Sequence, residues 1–174
     1  MAEPCGRLAG RDPGSTRRRA LAQLRGPHSR RSGLAVIVVD ASVVITCLLP
    51  EAESDAARML IAAEFCVAPD LLVSECVNAF WKNVQLGRIL RSEAETALMT
   101  LPHLGVELVP SQDMADRAMA LAIDLKHPAY DCFYLALAES RRVPLITQDR
   151  TLLRKVKASS VSTADLRLLA PNIA

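Results

Sequence analysis

From Leu34 onward, apolar blocks alternate with polar breaks at regular spacing. LAVIVVD, residues 34–40, is a run of aliphatic and β-branched positions that ends on an acid; it predicts a fully buried strand bounded by Gly33 and Asp40. Ala41 to Leu49 reads as a short apolar helix or turn, stopped by Pro50. Glu51 to Ala63 predicts a helix whose first-turn acids suit the helix dipole. FCVAP, residues 65–69, is a second short strand, after which Asp70 reads as the cap of a long helix from Leu71 to Leu86 that Gly87 stops. Ser92 with Glu95 three residues on has the form of a capping box opening a further helix towards Pro102–Gly105. VELVP, residues 106–110, is a third strand. Asp113 to Lys126 predicts an amphipathic helix, with Met114, Ala118, Leu121, Ala122 and Leu125 on one stripe. Pro128 stands where a helix begins, and Ala129 to Arg141 follows as an apolar helix. VPLITQD, residues 143–149, is a fourth strand, and Asp149 to Val156 a short basic helix. Weak strand and helix patterns follow around 158–162 and 163–169.

Strands separated by helices imply a parallel sheet covered on both faces. The expected fold is α/β: a three-layer sandwich with a central parallel sheet of four to five strands flanked by helices. Of the 174 residues, 51% are apolar but only 3% are aromatic, so the core must be built from Ala, Val, Leu and Ile, which suits helices on a parallel sheet. No apolar run reaches the roughly 18 residues of a membrane span.

Composition divides the chain at Gly33. The first 33 residues hold eight Arg, no Lys, two acids and five of the seven glycines, with no sustained apolar period, and are expected to be disordered. This head reads as a basic arm for nucleic acid, as an Arg-rich targeting peptide, or as sequence ahead of a natural start near Val36. Residues 34–174 are expected to form one domain with a net charge of −4. The five cysteines are scattered with no C-x-x-C pair, which fits reduced, buried thiols in a cytoplasmic protein.

Four acids break the apolar pattern in four elements. Asp40 ends the first strand and Asp149 the PLIT strand, where parallel sheets bind ligands. Glu75 interrupts the helix DLLVSECVNAFWK, and Asp131 lies in the first turn of YDCFYLALA. Capping alone explains Asp131 or Asp149. All four together are costly unless something positive compensates them. Oxygen donors without His or Cys of ligand spacing point to Mg²⁺ or Mn²⁺. His103 and His127 read as structural. Ser42 and Asn78, each close to one of the acids, read either as hydrogen-bond partners of a ligand carboxylate or as ordinary helix residues. Phe80 and Trp81 read as core or interface packing. Arg141, Arg142, Arg150, Arg154 and Lys155 crowd the last strand and the helix after it, either as a phosphate track or as a solvated face.

The pieces VVDASVV, SECVNAFWK, HPAYDCFYLALA and PLITQDRTLL, in this order and spacing, resemble those of PIN-domain nucleases, and within that family of VapC-type toxins of toxin–antitoxin pairs. The resemblance covers residues 36–170 and departs from the family in the 33-residue head. It implies a PIN-like fold, metal-dependent endonucleolytic cleavage of RNA, a protein antitoxin as partner, and a homodimer. It carries the family's acidic metal-binding residues onto Asp40, Glu75, Asp131 and Asp149, and sets Thr147 at a hydroxyl position beside them. The competing readings are a non-catalytic PIN-like module that binds RNA or protein, and a Mg-dependent phosphatase. A phosphatase of the haloacid-dehalogenase type would want an Asp where Ser42 stands, and a receiver domain would want an acid pair at Val39–Asp40.

Overall fold

The computed structural model describes residues 35–169; the Arg-rich head expected to be disordered lies outside them. Five parallel strands form one sheet: β1 (Val36–Val39), β2 (Phe65–Pro69), β3 (Glu107–Val109), β4 (Leu145–Thr147) and β5 (Leu166–Leu168), in the order β3-β2-β1-β4-β5. Seven α-helices lie among the described residues: α1 (Ala41–Leu48), α2 (Ser54–Ala63), α3 (Leu72–Gln85), α4 (Arg91–Thr100), α5 (Ala115–Leu125), α6 (Ala129–Arg141) and α7 (Arg150–Ala158). They flank the sheet in the three-layer α/β arrangement that the alternation of elements predicts. None is long and apolar enough to cross a membrane.

β1 is central because its residues can be nothing else. Val38 and Val39 are fully buried, and Val38 is paired with Val67 on one side and Leu145 on the other. β-Branched side chains suit a strand covered on both faces. The next strand in the chain lies to one side of β1, while β4 lies to the other. The order of strands therefore reverses between β1 and β4, which opens a crevice at their carboxyl ends. The ladder runs one residue past β1: the Asp40 N–H donates to the Ile146 carbonyl at 3.0 Å. The first acid is thereby pinned at the mouth of that crevice.

Helix α6 joins the core to this edge. Cys132, Tyr134, Leu135, Ala136, Leu137 and Ala138 are all buried, and the helix packs on α5, β1 and β2. A helix apolar on nearly every side belongs in the interior. Phe80 and Tyr134 are the buried aromatics among the described residues; the remaining core is Val, Leu, Ile, Ala, Met and Cys, as the aromatic-poor composition requires.

Several boundaries differ from the sequence reading. Helix α2 starts at Ser54, not Glu51, because the buried Ser54 hydroxyl accepts from the Glu51 N–H at 2.7 Å and donates to the Leu49 carbonyl at 2.7 Å, tying residues 49–54 into a turn. Asp70 does not cap α3. Its carboxylate accepts instead from the Ser111 N–H at 3.0 Å and from the Ser111 hydroxyl, joining two loops. At α4 the Glu that reaches back is Glu93, which accepts from the Leu90 N–H at 2.6 Å, while Glu95 pairs with Arg91 at 2.7 Å. The weak helix pattern at 163–169 is strand β5: Leu166 packs inward, Arg167 points out, and the backbone pairs with β4.

Because α6 carries Asp131 on the same element that fills the core, packing and site are coupled. Leu135→Ala, at a position with no solvent exposure, is expected to cost about 2–5 kcal/mol, read as a lowered urea midpoint at unchanged slope.

Candidate metal centre

Asp40 occupies the N-cap position of α1, yet its side chain makes no cap bond. Its Oδ2 accepts instead from the Thr147 hydroxyl at 2.6 Å and the Ser42 hydroxyl at 2.7 Å. Thr147 is fully buried at the end of β4, and its oxygen also accepts from the Asp149 N–H at 3.0 Å. Ser42 accepts from the Gln148 N–H at 3.2 Å. Two hydroxyls thus lock one oxygen of Asp40 and tie the ends of β1 and β4 together. Burial lifts the Asp40 carboxyl above the usual carboxylate range despite these donors, and the charge of Asp149 adds to the rise.

Three other elements bring in the remaining acids. Glu75, half-buried on α3, accepts the buried Tyr134 hydroxyl on Oε2 at 2.5 Å. Burial, together with the charges of Asp40 and Asp131, pushes Glu75 up to about 7 against that hydrogen bond. Asp131, in the first turn of α6, is raised by burial, then by the Asp40 and Asp149 charges, with His127 opposing. Asp149 serves two purposes. Its Oδ1 caps α7 by accepting from the Thr151 and Leu152 N–H groups at 2.6 and 3.0 Å, while Oδ2 lies 3.3 Å from His127 Nε2. The cap reading of Asp149 thus holds for Oδ1, and Oδ2 is left beside His127.

Each of the four carboxylates feels the field of at least one other. Among the described residues, no Lys or Arg pairs with any of them; the basic side chain in contact is His127, with Nε2 2.9 Å from Asp131 Oδ2. The arrangement fits a hard divalent cation: oxygen donors in a negative field that no Lys or Arg among the described residues compensates.

Asn78 is exposed one turn on from Glu75, with no hydrogen bond to any of the acids among the described residues. The basic cluster divides. Arg141 and Arg142 end α6, ten residues beyond Asp131 and so roughly 15 Å further along the helix, at the opposite edge of the sheet; Arg141 faces Glu107 at 3.8 Å. Arg150, Arg154 and Lys155 lie on α7, which starts at Asp149. The Lys155 ammonium donates to the Lys126 carbonyl, next to His127.

Sequence reasoning passed over Tyr134 and His127. Tyr134 was hidden because α6 is apolar throughout, and His127 because it was weighed against other histidines. The HPAYD spacing, His four residues before the acid, was the available signal.

Acids at the strand-order reversal of a doubly wound sheet mark a class of α/β domains that bind ligands at the carboxyl ends of their strands. Within that class, the PIN domain family matches residues 37–158, and the chain belongs to it. Ribonuclease VapC9 of Mycobacterium tuberculosis is 35% identical over 117 residues, which is 67% of this chain and 88% of that protein. The crystal structure of PAE2754 from Pyrobaculum aerophilum is similar at 26% identity and a TM-score of 0.55, over 78% of this chain and 87% of that one. A toxin–antitoxin complex from Klebsiella pneumoniae has a chain of like fold at 20% identity and a TM-score of 0.50, over 78% of this chain and 97% of that one.

Raised carboxyls carry a consequence for stability without metal. Glu75 titrates near 4.5 when unfolded and near 7 when folded, so the folded state holds its proton more tightly between those values. Stability of the metal-free protein should therefore fall as pH rises from about 4.5 to 7 and stay low above it. Asp40→Asn, which keeps an oxygen for Ser42 and Thr147 but removes a buried charge, should raise the metal-free Tm at pH 8 by roughly 2–4 °C and by less at pH 5. Thermal unfolding in EDTA at the two pH values checks both.

Proposed function

We propose that the chain is a Mg²⁺- or Mn²⁺-dependent endoribonuclease, and the toxin of a type II toxin–antitoxin pair held in check by a small protein antitoxin. What supports this reading is the mutual electrostatic influence of Asp40, Glu75, Asp131 and Asp149, carried by four elements, with no Lys or Arg paired to them among the described residues. The ribonuclease names of its relatives point to RNA as the substrate. A non-catalytic binding module would leave these repelling carboxylates without a task.

In this reading Asp40 holds the ion through Oδ1, with Oδ2 committed to Ser42 and Thr147, and Glu75, Asp131 and Asp149 complete the site. A divalent ion there supplies a lowered pKa for the attacking water and neutralises charge on the transferring phosphoryl group. The chain's own residues do the rest. Thr147 and Ser42 fix the Asp40 rotamer, and Tyr134 fixes Glu75. Glu75, poised near neutrality by burial, is the carboxylate suited to take a proton. Arg150, Arg154 and Lys155 on α7 supply the positive rim that an acidic pocket needs to attract a phosphate backbone; Arg141 and Arg142, at the far end of α6, fall outside it.

The protein partner has a surface to meet. Val73, Val77 and Trp81 form a second apolar stripe on α3, exposed by 38%, 44% and 59%, beside a cleft of about 310 Å³ closed by Phe80, Val84 and Leu98. An apolar groove between two helices suits an amphipathic segment of an antitoxin or the same face of a second copy in a homodimer. Cys47, Cys66, Cys76 and Cys132 are free and buried, which suits the reducing cytoplasm.

The test is incubation of total RNA with the full chain, purified away from its partner, in Mg²⁺ or Mn²⁺. Cleavage is expected, lost in EDTA. Losing a group that only orients a ligand costs roughly 10–100-fold, the range expected for Thr147→Val, and Asp40→Asn should cost more. Intact RNA with folded, ion-loaded protein removes the nuclease reading.

A further inference from the structure

We infer that His127 is itself a ligand of the divalent ion, so that the centre is a mixed oxygen–nitrogen site and not an all-carboxylate one. The inference rests on the acids holding an ion as proposed above, and adds a donor that the acid pattern does not include. His127 is 5% exposed, and its ring nitrogen Nε2 lies 2.9 Å from Asp131 Oδ2 and 3.3 Å from Asp149 Oδ2. His127, Asp131 and Asp149 each offer a ligand atom within 4.8 Å of the other two. Neither ring nitrogen forms a hydrogen bond, although both are buried. The close approaches to the two carboxylates are thus not aligned along an N–H direction. A buried imidazole nitrogen close to two carboxylate oxygens, without hydrogen-bond alignment to either, suits donors that converge on a shared point.

The spacing agrees. Two donors each about 2.1 Å from an ion and at right angles lie about 3.0 Å apart, close to both separations. The backbone holds the ring there before any ion arrives. Lys126 adopts a left-handed conformation (φ 49°) to end α5, the His127 N–H donates to the Ala122 carbonyl at 3.1 Å, and Pro128 follows at φ −52° to start α6. Lys155 ties down the Lys126 carbonyl from α7. With no partner at Nδ1 among the described residues, burial in this short interhelical turn sets the ring's orientation. A nitrogen donor changes the choice of metal: Mn²⁺ opens the first-row series along which affinity for nitrogen donors grows, whereas Mg²⁺ keeps to oxygen. The site should therefore favour Mn²⁺ over Mg²⁺ by more than four carboxylates alone would.

The test is pulsed electron paramagnetic resonance of Mn²⁺ added to the metal-free full chain, with binding measured in parallel by calorimetry. The wild type should show a nitrogen coupling that changes when the protein is labelled with ¹⁵N-histidine. The coupling should vanish in His127→Ala and in the better-filling His127→Gln, and persist in His103→Ala, which alters an exposed histidine in a separate turn. Mn²⁺ affinity should fall roughly 10-fold or more in both His127 variants, with a smaller loss for Mg²⁺. Bound Mn²⁺ without histidine coupling in the wild type overturns the assignment while leaving the acidic site standing. No Mn²⁺ binding at all overturns it together with the ion-dependent reading of function. The labelling arm needs no variant, so a substitution that fails to fold leaves the outcome decided.

Discussion

Repulsion among buried carboxylates is the constraint around which this molecule is arranged. Two like unit charges about 4 Å apart repel by roughly 4 kcal/mol at the effective dielectric of a protein surface, and a domain's whole net stability is about 5–15 kcal/mol. Carboxylates that raise one another's proton affinity are stable together only where protons or a cation offset their charge. The protein's own side chains offer little relief: His127 alone contacts two of the four, and no Lys or Arg is engaged among the described residues. The raised carboxyls of Asp40, Glu75 and Asp131 are the same fact seen as proton affinity. Left without an ion, the site keeps protons that an isolated carboxyl would release; a divalent cation is the alternative occupant.

The fold holds the acids in place by making them ends of things that cannot move. Asp40 follows a strand with neighbours on both sides, and its N–H continues the ladder to β4. Asp131 opens a helix whose remaining turns fill the core. Hydroxyls do the fine positioning. Thr147 and Ser42 both point at a single oxygen of Asp40, and Tyr134 at a single oxygen of Glu75. Neutral donors orient a carboxylate without cancelling its charge, so the site stays rigid and remains negative.

Much of this was legible along the chain. An acid after VIVV, and others interrupting the apolar blocks of α3 and α6, stand out because buried elements leave few reasons for a charge. Ser42 and Thr147 were within reach because they lie two residues from Asp40 and Asp149. What was not legible depended on proximity in space. The spacing of Arg141 and Arg142 to Arg150 looks like one basic cluster, yet a helix rise of 1.5 Å per residue carries the first pair to the other edge of the sheet. Asp70 looks like a cap and is a clasp to Ser111, forty-one residues away, a partner that no local pattern announces. His127 reads as an isolated histidine until α5 and α6 close the turn that buries it. Leu166–Leu168 was too short for its alternation to outweigh the helical reading of its neighbours.

Asp149 shows why local and global readings of one residue need not compete. A carboxylate has two oxygens, and here they have different employers: Oδ1 satisfies the first N–H groups of α7, and Oδ2 turns to the crevice beside His127. In the function proposed above, this division links substrate attraction to the ion. Helix α7 carries Arg150, Arg154 and Lys155 and starts at the residue whose other oxygen lies beside His127, so its basic side chains and the acids are held in one fixed relation. The same helix reaches back through Lys155 to the carbonyl of Lys126, the residue before His127. The positive rim and the histidine turn are therefore braced against each other from both sides of Asp149. An acidic pocket repels a phosphate backbone, and in the proposed reading the groups that offset that repulsion are anchored to the pocket's own wall.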